Sequence, residues 1–368
     1  MKILQIHVGM SLFGGVEGMV CGLSNEMIKE HDVTVCAVFK PSEHSPFYKR
    51  LSPDIKKEHL GIDRKDPILK SLWRVWKYFS KSDADIIHIH GFFHYYAIPI
   101  VLFHRGHKIV YTFHSDAFME NQKWEKRILW LKKYCLRRGW MHPVTISPES
   151  QQSFTQLYHI DSRLILNGIV RPKETTKANV VDLAKVTPQT KVFLHPGRIS
   201  TPKNQVVLCR VFQRLIEEGN DVMLLMVGNC QDVDIYKQIE PYLKDRIKYL
   251  GERDDVPQLL SHAEGFCLPS IWEGLPLALL EALAVGCVPI CSPVGGILGV
   301  IKDGENGVLS RSSNEEDYYV AMKRYLTMRP EEVNKLKKSA RDSFTPYDIQ
   351  KSAYDYVLYY RELLNDGR

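Results

Sequence analysis

No apolar run in this sequence is long enough to cross a bilayer; stretches such as Val222–Val227 and Leu275–Leu280 fall far short of the ~20 residues a span requires. The eight cysteines include no CxxC pair, which removes the usual spacing of zinc ribbons and thioredoxin-like redox sites. They lie inside apolar runs and are expected to be small core residues in a reducing compartment, with Cys287 and Cys291 near opposite ends of one short buried strand. Low-complexity tracts and short internal repeats are also missing. The chain opens on Met1-Lys2-Ile3-Leu4-Gln5-Ile6, a strand pattern and not the layout of a secretory leader. The fingerprint GxGxxG is not met, because the glycines after the first strand fall at 9, 14, 15 and 18, so the sequence does not support a nicotinamide site. Of two Asp-x-Asp matches, Asp83-Ala84-Asp85 precedes its strand and Asp232-Val233-Asp234 starts a helix. Both read as surface acids or caps, and no metal site is expected.

What is present is a regular alternation. The 368 residues, 44% hydrophobic and 25% charged, exceed one comfortable core and suit two domains. Strand-like runs at 2–8, 32–39, 85–90, 108–114, 144–147 and 163–167 are interleaved with helix-like segments at 16–29, 65–80, 94–103 and 124–138. Residues 171–190 are polar, carry Pro172 and Pro188 and show no period, so they read as a linker. Strands then recur at 191–198, 222–227, 247–250, 266–268 and 288–291, among helices at 204–218, 234–244, 255–262 and 275–285. Helices at 315–327, 331–340 and 347–364 follow. Strands joined by helices build parallel sheets covered on both faces. The expected fold class is therefore α/β: two Rossmann-like, doubly wound parallel-sheet domains facing a central cleft, with chemistry in the loops that follow strands.

Charge is unevenly divided. Residues 1–170 hold 23 Lys+Arg against 16 Asp+Glu, a balance of +7, and the remainder hold 26 against 27, a balance of −1. The first part also holds 12 of the 14 histidines. Its most basic piece, Trp124 to Arg138, sets Trp124, Ile128, Leu131 and Cys135 at helical spacing beside Lys126, Arg127, Lys132, Lys133, Arg137 and Arg138. It reads either as a solvated helix face or as a surface for anionic lipid or a phosphate-bearing acceptor. Nucleic acid is not expected, since no binding motif accompanies the charge.

Four constellations carry chemistry. In Ile271-Trp272-Glu273-Gly274-Leu275-Pro276-Leu277-Ala278-Leu279-Leu280-Glu281, the two glutamates are eight apart and can line one side of a helix. Glu273 would stand at the helix entrance with Pro276 in the first turn, and the N–H groups of Gly274, Leu275 and Leu277 would be free for hydroxyl or anionic oxygens. The plainer reading is a dipole-stabilised Glu273 and a solvent-facing Glu281. In His195-Pro196-Gly197-Arg198-Ile199-Ser200-Thr201-Pro202-Lys203-Asn204-Gln205, Arg198 and Lys203 flank a turn before a helix and suit a diphosphate, or are two solvated loop cations. Gly14 and Gly15 precede a helix and would let backbone approach a phosphate. His114 ends a strand and is either structural or a hydrogen-bonding group facing a ligand.

Together these residues resemble the glycosyltransferases of the GT-B fold, specifically glycosyltransferase family 4 (the group 1 family), over nearly the whole chain. The likeness is also carried by Leu166-Asn167-Gly168, the run from Leu250 to Leu260, Val294-Gly295-Gly296 and Asp303-Gly304-Glu305-Asn306-Gly307. It implies an acceptor-side domain at 1–170, joined by a helix at 346–368 that crosses back, a linker at 171–190, and a donor-binding domain at 191–345. Under this resemblance Arg198 and Lys203 hold the donor diphosphate, Glu281 binds the ribose, and Glu273 with Gly274, Leu275 and Leu277 holds the sugar hydroxyls. The main chain near Arg253 meets the base, Gly14 and Gly15 approach the phosphates, and His114 sits beside the reacting sugar. The implied reaction is hexosyl transfer with retention from a UDP- or GDP-type nucleotide sugar, with no metal and no further cofactor. The implied acceptor is a glycan, a lipid-linked sugar or a small molecule, in surface polysaccharide, lipopolysaccharide or thiol-glycoside synthesis. The implied location is the cytoplasm, including the inner face of the membrane. One departure is visible: three residues after Gly296 the family commonly has Glu, and this chain has Gly299.

No carboxylate is placed as an obvious covalent nucleophile, so a front-face substitution is expected, with the leaving phosphate oxygen taking the acceptor proton. An epimerase of the same fold stays open through His88, His90, His94 and His104. A non-catalytic nucleotide-sugar binder is the other alternative, against which the joint presence of Arg198, Lys203, Glu273 and Glu281 argues.

Overall fold

The computed structural model describes residues 1–9, 15–40, 46–63, 65–121, 124–172, 187 and 189–366. The chain divides into two compact units, Met1–Val170 with Tyr347–Arg368, and Arg171–Pro346.

The first unit runs β1 (Lys2–His7), α1 (Gly15–Met27), β2 (Asp32–Phe39), α2 (Pro46–Arg50), β3 (Lys56–Ile62), α3 (Ile68–Phe79), β4 (Ile86–His90) and α4 (Phe93–Phe103). It continues with β5 (Lys108–Phe113), α5 (Ala117–Glu120), α6 (Trp124–Arg127), α7 (Leu129–Arg137), β6 (His142–Thr145), α8 (Pro148–Tyr158) and β7 (Arg163–Leu164). All seven strands are parallel in the order β3-β2-β1-β4-β5-β6-β7. Successive strand side chains point to opposite faces, so the sheet has two cores. Leu4, Ile6, Ile87, Ile89, Tyr111 and Phe113 pack on one face with Phe79, Tyr96 and Leu136 from α3, α4 and α7. Ile3, Val33, Ile86 and Val110 pack on the other with residues of α1 and of the last helix of the chain.

The second unit runs β8 (Lys191–Pro196), α9 (Gln205–Glu217), β9 (Val222–Val227), α10 (Val233–Ile239), β10 (Ile247–Tyr249), α11 (Val256–His262) and β11 (Gly265–Leu268). Then come α12 (Leu277–Val285), β12 (Val288–Cys291), β13 (Val308–Leu309), α13 (Glu315–Leu326) and α14 (Pro330–Asp342). Its six strands are parallel in the order β10-β9-β8-β11-β12-β13. The chain then returns to the first unit as α15 (Ile349–Asn365). The Ile169 N–H donates to the Tyr347 carbonyl and the Ile349 N–H to the Ile169 carbonyl, each at 2.9 Å. Tyr360 bonds His88 Nδ1 at 2.6 Å and Tyr356 bonds Thr112 at 2.9 Å, which extends the 2.7 Å bond between His88 Nε2 and Thr112 Oγ1 into a buried network.

The basic segment differs from the expectation of one amphipathic helix. Ile128 leaves helical backbone (φ −112°, ψ 13°), splitting the segment into α6 and α7. Lys132 does not face solvent at all: it is fully buried, with Nζ 4.6 and 4.7 Å from the ring centroids of Tyr111 and Phe113. A cation desolvated this way is held by the ring faces and by a 3.4 Å bond to the Tyr111 hydroxyl. Seven cysteines are buried as expected, but Cys230 is exposed, because it sits in the loop beyond β9 and not in a core. Asp83 and Asp85 both bond Lys2, and Asp232 caps α10 by accepting from the N–H groups of Asp234 and Ile235.

Candidate functional site

Strand order in the second sheet reverses between β8 and β11, the point where ligands settle on open parallel sheets. The loop after β8 enters a 3-10 turn at Thr201–Lys203, and Asn204 adopts a left-handed conformation (φ 59°) before α9. Asn204 Nδ2 donates to the carbonyls of Pro269 (3.1 Å) and Ser313 (2.8 Å), and the Ile271 N–H donates to the Pro202 carbonyl (2.8 Å). These bonds tie the two loops together and bring Lys203 Nζ within 2.6 Å of Glu273 Oε1. The same oxygen accepts from Ser270 Oγ at 2.6 Å. The side chain of Glu273 is 8% exposed and that of Lys203 17%, so this is a sheltered ion pair and not two solvated groups. Arg198 remains exposed in the same loop, with its carbonyl held by Gln205 Nε2 at 2.7 Å.

Beneath them His195 Nδ1 donates to the Cys267 carbonyl at 2.8 Å, and its Nε2 accepts from Gln205 at 3.2 Å. Burial, and secondarily the Lys203 charge, pushes this imidazole down to about 4, so it is a neutral strut between β8 and β11.

Glu273 does not open a helix. Pro276 is extended (φ −74°, ψ 116°) and forms the N-cap, so α12 starts at Leu277 and Gly274 and Leu275 belong to the preceding loop. The first helical bonds run from the Leu279 and Leu280 N–H groups to the Pro276 carbonyl. The N–H groups of Leu277 and Ala278 therefore lie ahead of the helical ladder, at the positive end of its dipole. Gly295, with φ 49°, and Gly296 lie against the Glu273–Gly274 backbone, where a Cβ on either would overlap a carbonyl oxygen. The Gly296 N–H donates to the Gly274 carbonyl at 3.0 Å, fixing the loop that carries Glu273. Glu281 sits one turn into α12, half-buried between buried Leu280 and Ala282, and not on a solvent face.

Beyond β9 and β10, the Gly228 N–H donates to the Gly251 carbonyl (2.9 Å) and Tyr249 donates to the Gly228 carbonyl (2.6 Å). Arg253 forks onto Asp255 at 2.7 and 2.6 Å, which commits its side chain to Asp255. Asn229 Oδ1 is buried with no hydrogen-bond partner among the described residues.

In the first unit, Gly14 lies outside the described residues and Gly15 is the first residue of α1. His114 follows β5, with Nε2 2.9 Å from His90 Nδ1, and His90 Nε2 is 2.7 Å from Gln5 Oε1. With the amide in this orientation, His90 donates from Nε2 and accepts at Nδ1, so His114 donates from Nε2. Its Nδ1 is left as an acceptor, buried without a partner among the described residues. Burial, with the His7 charge adding to it, pushes His114 down to about 3. The other histidines named as acid–base candidates have partners within the first unit: His88 on Tyr360, His90 on Gln5 and His114, His94 on Glu125 at 2.7 Å, and His104 on the Val101 carbonyl at 2.8 Å. His195 and Gln205 bound the stretch read from sequence but received no role there, and only the Pro269-Ser270-x-x-Glu273 spacing signalled Ser270. Among the described residues no group of three or more His, Cys, Asp or Glu side chains could hold a metal ion.

Two family models match the chain: Glycosyltransferase Family 4 over residues 13–171 and Glycosyl transferases group 1 over 184–343. The UDP-Gal:alpha-D-GlcNAc-diphosphoundecaprenol alpha-1,3-galactosyltransferase of Escherichia coli is 27% identical over 271 residues, 70% of either chain. The N-acetyl-alpha-D-glucosaminyl L-malate synthase of Bacillus anthracis is 28% identical over 189 residues, 50% of this chain and 48% of that one. Among solved structures, a glycosyltransferase from Rickettsia africae superposes with a TM-score of 0.83 at 19% identity, covering 99% of this chain and 98% of that one. HepE of Anabaena, solved with UDP, gives a TM-score of 0.80 at 18% identity, covering 98% and 100%. These structures share the fold.

Proposed function

The chain belongs to the group 1 and family 4 glycosyltransferases of the GT-B fold, and on that premise we propose that it moves a hexose from a UDP-sugar to a lipid-linked sugar, with retention and without metal. The observation that carries the reading is the Lys203–Glu273 pair at the sheet's switch point, with Arg198 in the same loop as Lys203. A UDP donor is favoured over GDP because UDP appears in the names of the Escherichia coli relative and of the HepE complex. A lipid-linked acceptor is favoured because diphosphoundecaprenol is named for that relative and for a Campylobacter jejuni N-acetylgalactosaminyltransferase. The reaction would then run in the cytoplasm, at the inner face of a membrane.

In this mechanism the bond from C1 of the sugar to the donor phosphate oxygen breaks, and a bond from C1 to the acceptor oxygen forms on the same face. The acceptor proton passes to the departing phosphate oxygen. Arg198, Lys203 and the open N–H groups of α12 offset the charge that develops there, the task a divalent ion performs in other sites. Glu273, fixed through Oε1 by Lys203 and Ser270, turns its carboxylate to the sugar hydroxyls. Glu281 takes the ribose hydroxyls and the main chain around Arg253 the base. His114 Nδ1, an acceptor of fixed tautomer, takes a hydroxyl donor.

A thermal-shift series with UDP, GDP, ADP and their hexose derivatives tests the donor, since a bound nucleotide raises Tm by mass action. Product analysis with an undecaprenyl-diphosphate-linked sugar tests the transfer. Stabilisation by UDP, and an α-linked product formed only with acceptor, is expected. An altered sugar released without acceptor would make the protein an epimerase.

A further inference from the structure

Gln5 lies on β1, in sheet order between β2 and β4, and is fully buried. A buried amide must find partners for both of its ends. Its Oε1 is 2.7 Å from His90 Nε2, and its Nε2 is 3.5 Å from Sδ of Met27, the last residue of α1. A thioether carries no proton and can only accept. The amide nitrogen therefore belongs on the Met27 side and the oxygen on the His90 side. The opposite orientation would set oxygen against sulfur with no hydrogen between them. The Tyr360 hydroxyl of α15 bonds the same amide. Accepting from the nitrogen, it gives its own proton to His88 Nδ1, 2.6 Å away.

One proton order follows along the histidines. His90 donates from Nε2 to Gln5, and its Nδ1 accepts from His114 Nε2 at 2.9 Å. His88, receiving at Nδ1, donates from Nε2 to Thr112 Oγ1 at 2.7 Å. Burial pushes all three imidazoles well below their ordinary range, so each is neutral, with one donor and one acceptor. The orientation of a single amide thus dictates which nitrogen of each ring carries the proton. At the end of the chain it leaves the lone pair of His114 on Nδ1, which has no partner among the described residues.

We propose that Gln5 is a positioning residue that acts through His90 to keep the lone pair of His114 on Nδ1. The proposal rests on the reading of His114 as the group beside the transferred sugar. As the bond from C1 to the phosphate oxygen breaks, positive charge develops on the sugar ring. The lone-pair end of a neutral imidazole favours that charge, and the N–H end presented by the other tautomer opposes it. A sugar hydroxyl in the ground state can bond either end, because it both donates and accepts. The choice of tautomer therefore acts on the transition state and not on donor binding.

Ring-nitrogen chemical shifts of the histidine-labelled full chain, measured without substrate, test the proton order. The wild type should carry its proton on Nε2 in His88, His90 and His114, the last assigned by its loss in a His114→Asn variant. Gln5→Leu removes the acceptor at similar size, so His90 and His114 should show mixed tautomers. Loss of such a supporting group should lower kcat about ten- to hundredfold, with KM for the nucleotide sugar and the UDP-induced rise in Tm unchanged. A wild-type His114 protonated at Nδ1 overturns the proposal, and this result needs neither the variant nor turnover. So does a Gln5→Leu enzyme with full kcat, or one whose kcat falls while both tautomers stay fixed. The tautomers are read without any transfer, so failure of the proton order and failure of the proposed reaction are separate results.

Discussion

Lys203 Nζ stands 2.6 Å from Glu273 Oε1, so one ion pair joins the loop leaving β8 to the loop leaving β11. The cation proposed to hold the donor phosphates is thus the counter-ion of the carboxylate proposed to hold the donor sugar. A carboxylate this sheltered needs a partner, and Ser270 and Lys203 supply it before any ligand arrives. Both ends of a nucleotide sugar would then be read by one prearranged group.

Removing the two cations should therefore have different consequences. Lys203→Ala should cost ~2–4 kcal/mol of transition-state stabilisation and also ~3 kcal/mol of fold stability, because it strands the Glu273 charge. Arg198→Ala should cost a similar amount of activity with Tm unchanged, since its side chain is exposed. Paired kcat/KM and urea midpoints decide this. A Lys203→Ala variant as stable as the wild type would remove the structural half of the argument.

Turnover should persist in excess EDTA. In the proposed mechanism Arg198, Lys203 and the α12 N–H groups would supply positive charge to the leaving diphosphate, the task a divalent ion performs in other sites. Loss of activity with recovery on adding Mg²⁺ or Mn²⁺ would overturn the metal-free mechanism.

His114 should stay neutral across the working pH range. Its imidazole is held at about 3 against an ordinary 6.5, so the unfolded chain gains a proton below 6.5 that the fold refuses. Stability should accordingly fall as pH drops through 6.5 toward 3. No inflection in kcat/KM should arise from this residue, and its ring resonances should not titrate above pH 4 to 5, roughly one to two units over its pKa. His90→Phe removes the acceptor for the His114 Nε2 proton. It should lower kcat while leaving UDP-induced stabilisation intact.

Glu120 should give the opposite slope. Burial, against the opposing pull of Lys132, raises its carboxyl from an ordinary 4.5 to about 7, and its Oε2 is buried without a partner among the described residues. Between those values the fold binds a proton that the unfolded chain has lost, so stability declines as pH rises through that window. Glu120→Gln should flatten this part of the profile and gain ~1–3 kcal/mol above neutrality. An unchanged pH–stability curve would show that the group ionises freely.

Most of the fold could be read directly, because buried parallel strands such as Val222–Val227 are uninterrupted apolar runs. β3 could not: at the sheet edge its Lys56, Lys57 and His59 face solvent, so it carries no apolar signal. α8 was also missed, although Ser147 and Ser150 mark its start with a capping box and Pro148 opens its first turn. In the site, residue types and order announced Arg198, Lys203, Glu273 and Glu281. Their coupling did not show, because the Lys203–Glu273 bond spans 70 positions and depends on Asn204 tying two loops. Lys132 marks the limit of charge counting: a lysine among lysines reads as surface, and only the rings of Tyr111 and Phe113 reveal it as core.

The return of α15 to the first sheet sets an order of assembly. On the ribosome, β1 to β7 emerge well before Tyr356 and Tyr360, which bond Thr112 and His88. The second unit, unbroken in sequence from 171 to 346, is synthesised in the interval and can close first. Until residue 365 clears the exit tunnel, the sheet face of Ile3, Val33 and Val110 is covered by α1 alone, and the part that α15 will cover stays open to a nascent-chain chaperone. The unit whose strands are made first is thus the one whose completion waits for the last helix.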